Sequence, residues 1–328
     1  MKPYQIAGIG NAIVDVIATV DDLFLDHMGI RKGIMQLVER ERAEVLYGAM
    51  KDRAEASGGS VANTLAGVGR LGLKAAFVGR VNDDALGRFY AADTGADFVN
   101  PPVMGGELPT SRSMIFVTPD GERSMNTYLG ISAEVGPDDV DEAVMAASEI
   151  VFLEGYLFDK DKGKQAFLKA ARACRAAGGR AGIALSDPFC VDRHRADFRN
   201  LVANEMDYVI GNEQEWVSLY QANDLDDALA QAVQDCPLVI CTRSGDPVTI
   251  CEGGQRTEVP VTRVTPVDAT GAGDQFAAGF LYGLATGCDM ATAGRMGVIA
   301  ASEVISHIGA RPKSNLRGAF ARAGLVGA

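Results

Sequence analysis

Residues 268–274 read Asp268-Ala-Thr-Gly-Ala-Gly-Asp274, and the apolar run Phe276–Ala285 follows at once. Gly271, Ala272 and Gly273 lack bulk, so the backbone N–H groups of a helix starting here can be approached closely. Unpaired N–H groups and the positive helix end favour an anion at such a place. Asp274 falls in the first helical turn and faces the same space. A carboxylate only accepts hydrogen bonds, so it sits oddly beside an anion hole unless it handles a proton next to a transferring phosphoryl group. A tight turn followed by an acid that complements the helix dipole would also produce this stretch. The remaining sequence has to separate the two readings.

On either side of the turn, short apolar runs alternate with amphipathic segments. The strand-like runs are 5–10, 75–79, 150–154, 181–186, 207–211 and 238–242; the helix-like ones are 60–71, 137–147, 162–177, 213–220, 226–235, 271–285 and 291–307. Pro137 followed by two aspartates is a favourable helix start. Such alternation predicts a mainly parallel sheet covered by helices on both faces, with ligands beyond the carboxyl ends of the strands. Two regions break the rhythm. Residues 13–20 and 33–38 form one strand-like pair, and 112–118 and 123–129 form another around the turn Pro119-Asp120-Gly121-Glu122. Neither pair encloses a crossover helix. They predict a small extra sheet, a lid drawn from roughly 12–38 and 110–130, on a single α/β domain spanning 1–328.

Composition narrows the function. The chain has 328 residues, 47% hydrophobic and 23% charged, which excludes a disordered polypeptide. A net charge of −12 argues against nucleic acid and against a polybasic membrane anchor. The six cysteines (174, 190, 236, 241, 251, 288) form no CxxC pair and no zinc-ligand spacing with the three histidines. No apolar run approaches the ~18 residues needed to span a bilayer. The N-terminus lacks the layout of a signal peptide, so a cytoplasmic protein is expected. Gly67-Val-Gly69-Arg-Leu-Gly72 matches GxGxxG by letter, but the preceding residues read as helix where a dinucleotide site needs a strand.

Three further segments carry groups suited to a ligand. Ser57-Gly-Gly-Ser-Val-Ala-Asn63 enters a helix, with Gly59 permitting close backbone approach and Ser60 and Asn63 offering neutral hydrogen-bond groups for a polyhydroxylated ligand. Gly10-Asn11-Ala-Ile-Val-Asp15 places Asn11 past a strand end and Asp15 within an apolar run, where a carboxylate needs a partner. Asn212-Glu-Gln-Glu215 follows a strand; its spacing suits a capping box as well as a ligand site. Thr242, after the strand 238–241, could reach phosphate.

Together these segments resemble the ribokinase-like (phosphofructokinase B) family of carbohydrate and nucleoside kinases, over Gly8 to about Pro312. Its motifs are similar to GAGD at 271–274, GG-x-x-x-N at 58–63 and NxxE at 212–215. The resemblance implies a three-layer α/β/α core with a β-sheet lid, and an ATP- and Mg²⁺-dependent kinase. Within the family, residues 10–15 and 58–63 are most similar to the ribose-binding segments of adenosine kinases. The implied reaction is therefore phosphorylation of a primary hydroxyl, foremost the 5′-OH of adenosine to give AMP. The alternative is a sugar kinase of the same family acting on ribose, fructose or a keto-deoxy sugar acid. By resemblance, Asp274 is the catalytic base and the 271–273 backbone the anion hole. Asn11, Asp15, Gly59, Ser60, Asn63 and Arg123 contact the substrate. Asn212, Thr242 and Gly273 contact ATP, while Glu215 and Asn212 organise Mg²⁺ and its waters. The segment 309–312 resembles one near the adenine and a monovalent-cation (K⁺) site. Ser244 stands where many members carry glycine. Met35, Leu37, Met114 and Met125 give the lid a neutral lining, which favours a base over an acid sugar. Lid edge strands could pair two subunits into a homodimer, though nothing selects dimer over monomer.

Overall fold

The computed structural model describes residues 2–326. Eight strands come from the first part of the chain: β1 (Tyr4–Ile9), β2 (Ile13–Thr19), β3 (Met35–Leu37), β4 (Ala54–Gly58), β5 (Ala75–Val78), β6 (Asp97–Phe98), β7 (Ser111–Val117) and β8 (Arg123–Tyr128). Six follow: β9 (Ser148–Glu154), β10 (Arg180–Ala184), β11 (Tyr208–Asn212), β12 (Leu238–Arg243), β13 (Asp246–Glu252) and β14 (Gln255–Val259). They build a nine-stranded sheet in the order β14-β13-β12-β11-β10-β9-β1-β5-β6 and a five-stranded one in the order β3-β8-β7-β2-β4. In the large sheet all pairs from β12 to β6 are parallel; the pairs β12–β13 and β13–β14 are antiparallel.

Both faces of the large sheet are covered. Ile6, Ile150 and Phe152 pack into one core with the helices Ser60–Arg70 and Ala272–Ala285, while Ala7, Ile9, Val151 and Leu153 pack into the other with the helix Asp161–Ala176. Successive strand residues point to opposite faces, so these near-continuous apolar strands are what a doubly covered parallel sheet requires. The protein is thus an α/β fold with helices on both sides of its main sheet. No helix among the described residues is long and apolar enough to cross a membrane.

The small sheet departs from expectation in its pairing. Residues 13–20 and 33–38 do not pair with each other; β2 lies between β7 and β4, and β3 pairs in parallel with β8. The helices Asp22–His27 and Arg40–Ala49 flank β3, so β3 finds its partner about 90 residues away. The strand β4, which follows the 12–38 stretch, also joins this sheet. The β7–β8 hairpin turns where Pro119–Glu122 predicts, with Gly121 at φ +86°. One predicted helix is broken: 137–147 forms a 3₁₀ turn Pro137–Asp139, an extended residue at Val140, and a helix Glu142–Ala146. The Asp141 side chain caps that helix through Ala143 N–H, restarting it five residues later than proline would.

Alternation along β2 sorts the small sheet's faces. Val14, Val16 and Ala18 are buried, with Met114 and Phe116 from β7, whereas Ile13, Asp15 and Ile17 are half-buried. Burying such side chains contributes ~1.5–3 kcal/mol for each large one. This inner face therefore outweighs any single ion pair in holding the sheet to the core, since a buried pair loses most of its attraction to desolvation.

Candidate active site

The turn before the helix Ala272–Ala285 is shaped by Gly271, which takes φ +80° and lies against Ala310; a Cβ there would come within 2.7 Å of the Ala310 Cα. Ala272 N–H is already used by the Ala269 carbonyl at 3.2 Å. The next N–H groups, of Gly273 and Asp274, are first-turn donors that a helix leaves unpaired. Open space surrounds the Gly273 Cα. Of the expected three-residue anion hole, 273 is thus open and 272 is committed to its own turn.

Asp274 is held by groups from the helix Ser60–Arg70. Ser60 Oγ donates to Oδ1 at 2.7 Å and Asn63 Nδ2 to Oδ2 at 3.0 Å, while Thr64 Oγ1 donates to the Asp274 carbonyl at 3.1 Å. Burial pushes the carboxyl up to about 6, against the pull of the Ser60 and Asn63 hydrogen bonds. Ser60 and Asn63, expected on substrate, here meet the carboxylate itself.

Asn11 is engaged on both ends of its carboxamide. Nδ2 donates to Glu154 Oε1 at 2.8 Å and Oδ1 accepts from Ser132 Oγ at 2.9 Å. Glu154, at the end of β9, is fully buried and also accepts from Asn11 N–H at 2.8 Å and Val61 N–H at 3.0 Å. Burial drives its carboxyl up to about 7 despite these donors. The sequence reading did not single Glu154 out. Its signal was available: an acid closing an apolar parallel strand lies where ligands collect. Gly59 takes φ +96°, and a Cβ there would come within 2.1 Å of the Asn11 carbonyl oxygen.

Asp15 has no hydrogen-bond partner among the described residues. Burial raises its carboxyl to about 6, with Arg123 and Arg311 pulling the other way. Strand register places Asp15 beside Ser113, and Ile17, Ile115, Met125 and Met35 in one row on the same face. Met35 and Leu37 are 48% and 55% exposed, large values for such side chains. Met114 is the exception to the expected lining: it lies on the opposite face and is fully buried. Arg123 shares the face of Asp15. Its Nη1 donates to Asp268 Oδ2 at 2.6 Å, and Asp268 also accepts from Thr270 N–H at 3.0 Å and Gly309 N–H at 2.9 Å. Burial would raise the Asp268 carboxyl, but these donors and the guanidinium hold it below the usual range.

A cavity of about 380 Å³ joins Asp274 and Gly273 to Asn212, Glu215 and Thr242. Asn212 and Glu215 form the capping box: Asn212 N–H and Nδ2 both donate to the Glu215 carboxylate at 2.8 Å, and Glu215 N–H donates back at 2.9 Å. Burial pushes the Glu215 carboxyl up to about 7. Among the described residues no group of three or more His, Cys, Asp or Glu could cage a metal. One carboxylate with a carboxamide on the cavity wall fits a hydrated Mg²⁺ held chiefly by phosphate oxygens. Beyond Thr242, Ser244 adopts φ +53°, the left-handed conformation that a glycine would take without strain.

An anion-accepting helix start, a raised carboxylate beside it and a cavity beyond the strand ends together define a phosphotransferase site. The chain belongs to the pfkB family of carbohydrate kinases, whose profile matches residues 9–316. It is similar to the solved structure of a probable sugar kinase from Rhizobium etli CFN 42, at 44% identity and TM-score 0.90, covering 99% of this chain and 100% of that one. An adenosine kinase from Sinorhizobium meliloti is 45% identical with TM-score 0.88, covering 98% and 99%. A curated relative, the 5-dehydro-2-deoxygluconokinase of Halalkalibacterium halodurans, is 29% identical over 76% of this chain and 79% of its own. The fold is ribokinase-like, and the protein is a sugar or nucleoside kinase that transfers phosphate to an alcohol; family membership implies ATP as donor.

Proposed function

We propose that the protein phosphorylates the 5′-OH of adenosine, giving AMP and ADP. The observation that carries this reading is one face of the small sheet, where Ile13 and Ile17 flank Asp15 on β2 and Met125, Met35 and Leu37 continue the apolar row across β8 and β3. An apolar floor suits a purine ring, and a lone carboxylate suits the ribose hydroxyls as donors. A sugar acid would need a free cation instead. Arg123 is engaged by Asp268, and Arg311 by Asp93 and Asn63. The 45% identity to an adenosine kinase over nearly the whole chain supports the same substrate.

In this reading Asp274 is the base. A carboxyl of pKa about 6 cannot ionise an alcohol in the ground state. In a loose phosphoryl-transfer transition state it need not, because the proton leaves late. Asp274 orients the hydroxyl and takes its proton as the new P–O bond forms. The first-turn amides at 273 and 274 meet the oxygens of the transferring group. Thr242 and Asn212 line the ATP side, and Glu215 with Asn212 would hold waters of Mg²⁺. The metal, when bound with ATP, shields the phosphate charge. ADP release measured with adenosine, inosine, ribose, fructose and 5-dehydro-2-deoxygluconate as acceptors tests the assignment. Adenosine should give the highest kcat/KM; a free sugar or sugar acid in first place would overturn it.

A further inference from the structure

Arg311 belongs to the segment after the helix Met290–Val304, and four-fifths of its side chain is covered. Nη1 donates to the Asp93 carbonyl at 2.7 Å and lies 3.7 Å from the Asp93 carboxylate. Nε donates to Asn63 Oδ1 at 3.4 Å. The other end of that carboxamide, Nδ2, donates to Asp274 Oδ2. A guanidinium can only donate and an ionised carboxylate can only accept. The Asn63 side chain therefore has one orientation that satisfies both neighbours, and its alternative would set oxygen against the carboxylate. The backbone around this relay is tied as well. Fully buried Gln275, next to Asp274, uses Nε2 to bridge the carbonyls of Asn63 at 2.8 Å and Ala310 at 3.0 Å.

We propose that Arg311 is a positioning residue for phosphoryl transfer: it fixes the Asn63 carboxamide so that this donates to Asp274 and sets the orientation of the base. The proposal rests on Asp274 acting as the base. Loss of Arg311 frees the carboxamide to rotate, weakens the hydrogen bond to the ionised carboxylate and raises its proton affinity. The other titratable groups coupled by charge to Asp274 are Asp15 on β2, Glu154 on β9 and Tyr156 just beyond it, with Arg123 on β8 acting on Asp15. Arg311 also acts on Asp15 through charge alone, so the test must separate relay from field.

The experiment is a set of pH–rate profiles with ATP, Mg²⁺ and the acceptor that ranks first, for wild type, Arg311→Met, Arg311→Gln, Asn63→Ala and the Asn63→Ala/Arg311→Met double variant. Arg311→Met should lower kcat about 10- to 100-fold, with a smaller change in KM, as expected for a misplaced catalytic group. Its acid limb should move up by about half to one pH unit, the effect of losing a hydrogen bond to the charged form. Arg311→Gln keeps a donor without the charge and should fall between; it carries the measurement if Arg311→Met fails to fold. In the Asn63→Ala background, Arg311→Met should move the limb no further. A wild-type limb in a folded Arg311 variant, or shifts that add in the double variant, would overturn the relay. Asp274→Asn, run alongside, keeps the premises apart: if it turns over normally the base assignment falls, whereas an inactive Asp274→Asn beside an unaffected Arg311→Met removes only the relay.

Discussion

The proposed reaction concentrates its chemistry in one side chain, Asp274. A positioned base contributes roughly 10²- to 10⁴-fold to a proton-transfer step. Asp274→Asn should therefore lose at least about a hundredfold in kcat while the fold, followed by thermal melting, stays intact. With the carboxyl raised to about 6 by burial, kcat/KM should fall below that pH rather than near 4. Ser60→Ala removes a hydrogen bond that stabilises the ionised form, so the limb should rise. A limb near pH 4, or one that drops in Ser60→Ala, would contradict the assignment. The residues involved were largely legible beforehand. Gly271, Gly59 and Asp274 announce themselves because their jobs are local: a turn, a close approach and a helix start. Glu154 and Arg311 were not singled out, because their partners lie far along the chain. Glu154 sits 143 residues from Asn11, and Arg311 248 residues from Asn63. Ser60 and Asn63 were recognised, but that they meet Asp274 depends on two helices docking across more than 200 residues.

At the scale of elements, period and turn chemistry revealed the parallel sheet and the β7–β8 hairpin. They did not reveal which strands of the small sheet are neighbours. β3 has three residues and no local partner, so only the assembled sheet can set its register. That register matters, because it puts Met35 opposite Met125, whereas alternation along β7, paired with β8, sends Met114 to the other side. Met35→Ser and Leu37→Ser remove apolar area from the face assigned to the purine while leaving the buried face untouched. Each should raise KM for adenosine about 5- to 30-fold, from ~1–2 kcal/mol of lost apolar contact, with a smaller effect on kcat. Steady-state kinetics at saturating ATP reads this. An unchanged KM in both variants would mean that the acceptor lies elsewhere.

The whole molecule carries a cost of building such a site. Glu154 and Glu215 are raised from 4.5 to about 7, and Asp15 and Asp274 from 3.8 to about 6, in each case chiefly by burial. The folded protein thus binds more protons than the unfolded chain between roughly pH 4 and 7. The stability these groups contribute is present below their unfolded pKa values and is lost as pH rises through the folded ones. Carboxyls shifted downward, such as Asp120 and Glu134, act in a lower window, near and below pH 4. The ligand-free Tm should accordingly decline from pH 5 to pH 7.5. Adenosine, by giving donors to Asp15, should flatten that decline. A Tm that rises across this range would refute the carboxylate account.

The two sheets also divide the chain unequally. The face assigned to the acceptor comes from residues before 130, in β2, β3, β7 and β8, while the polar groups assigned to the donor (Asn212, Glu215, Thr242 and the amides of Gly273 and Asp274) come from Asn212 onward. A new acceptor can therefore be drafted within the first 130 residues, provided that Ser60 and Asn63, which hold Asp274, are kept. Such a layout lets one scaffold diversify into kinases for free sugars and for nucleosides, and it says where exchanged segments would carry a change of substrate from one relative to another.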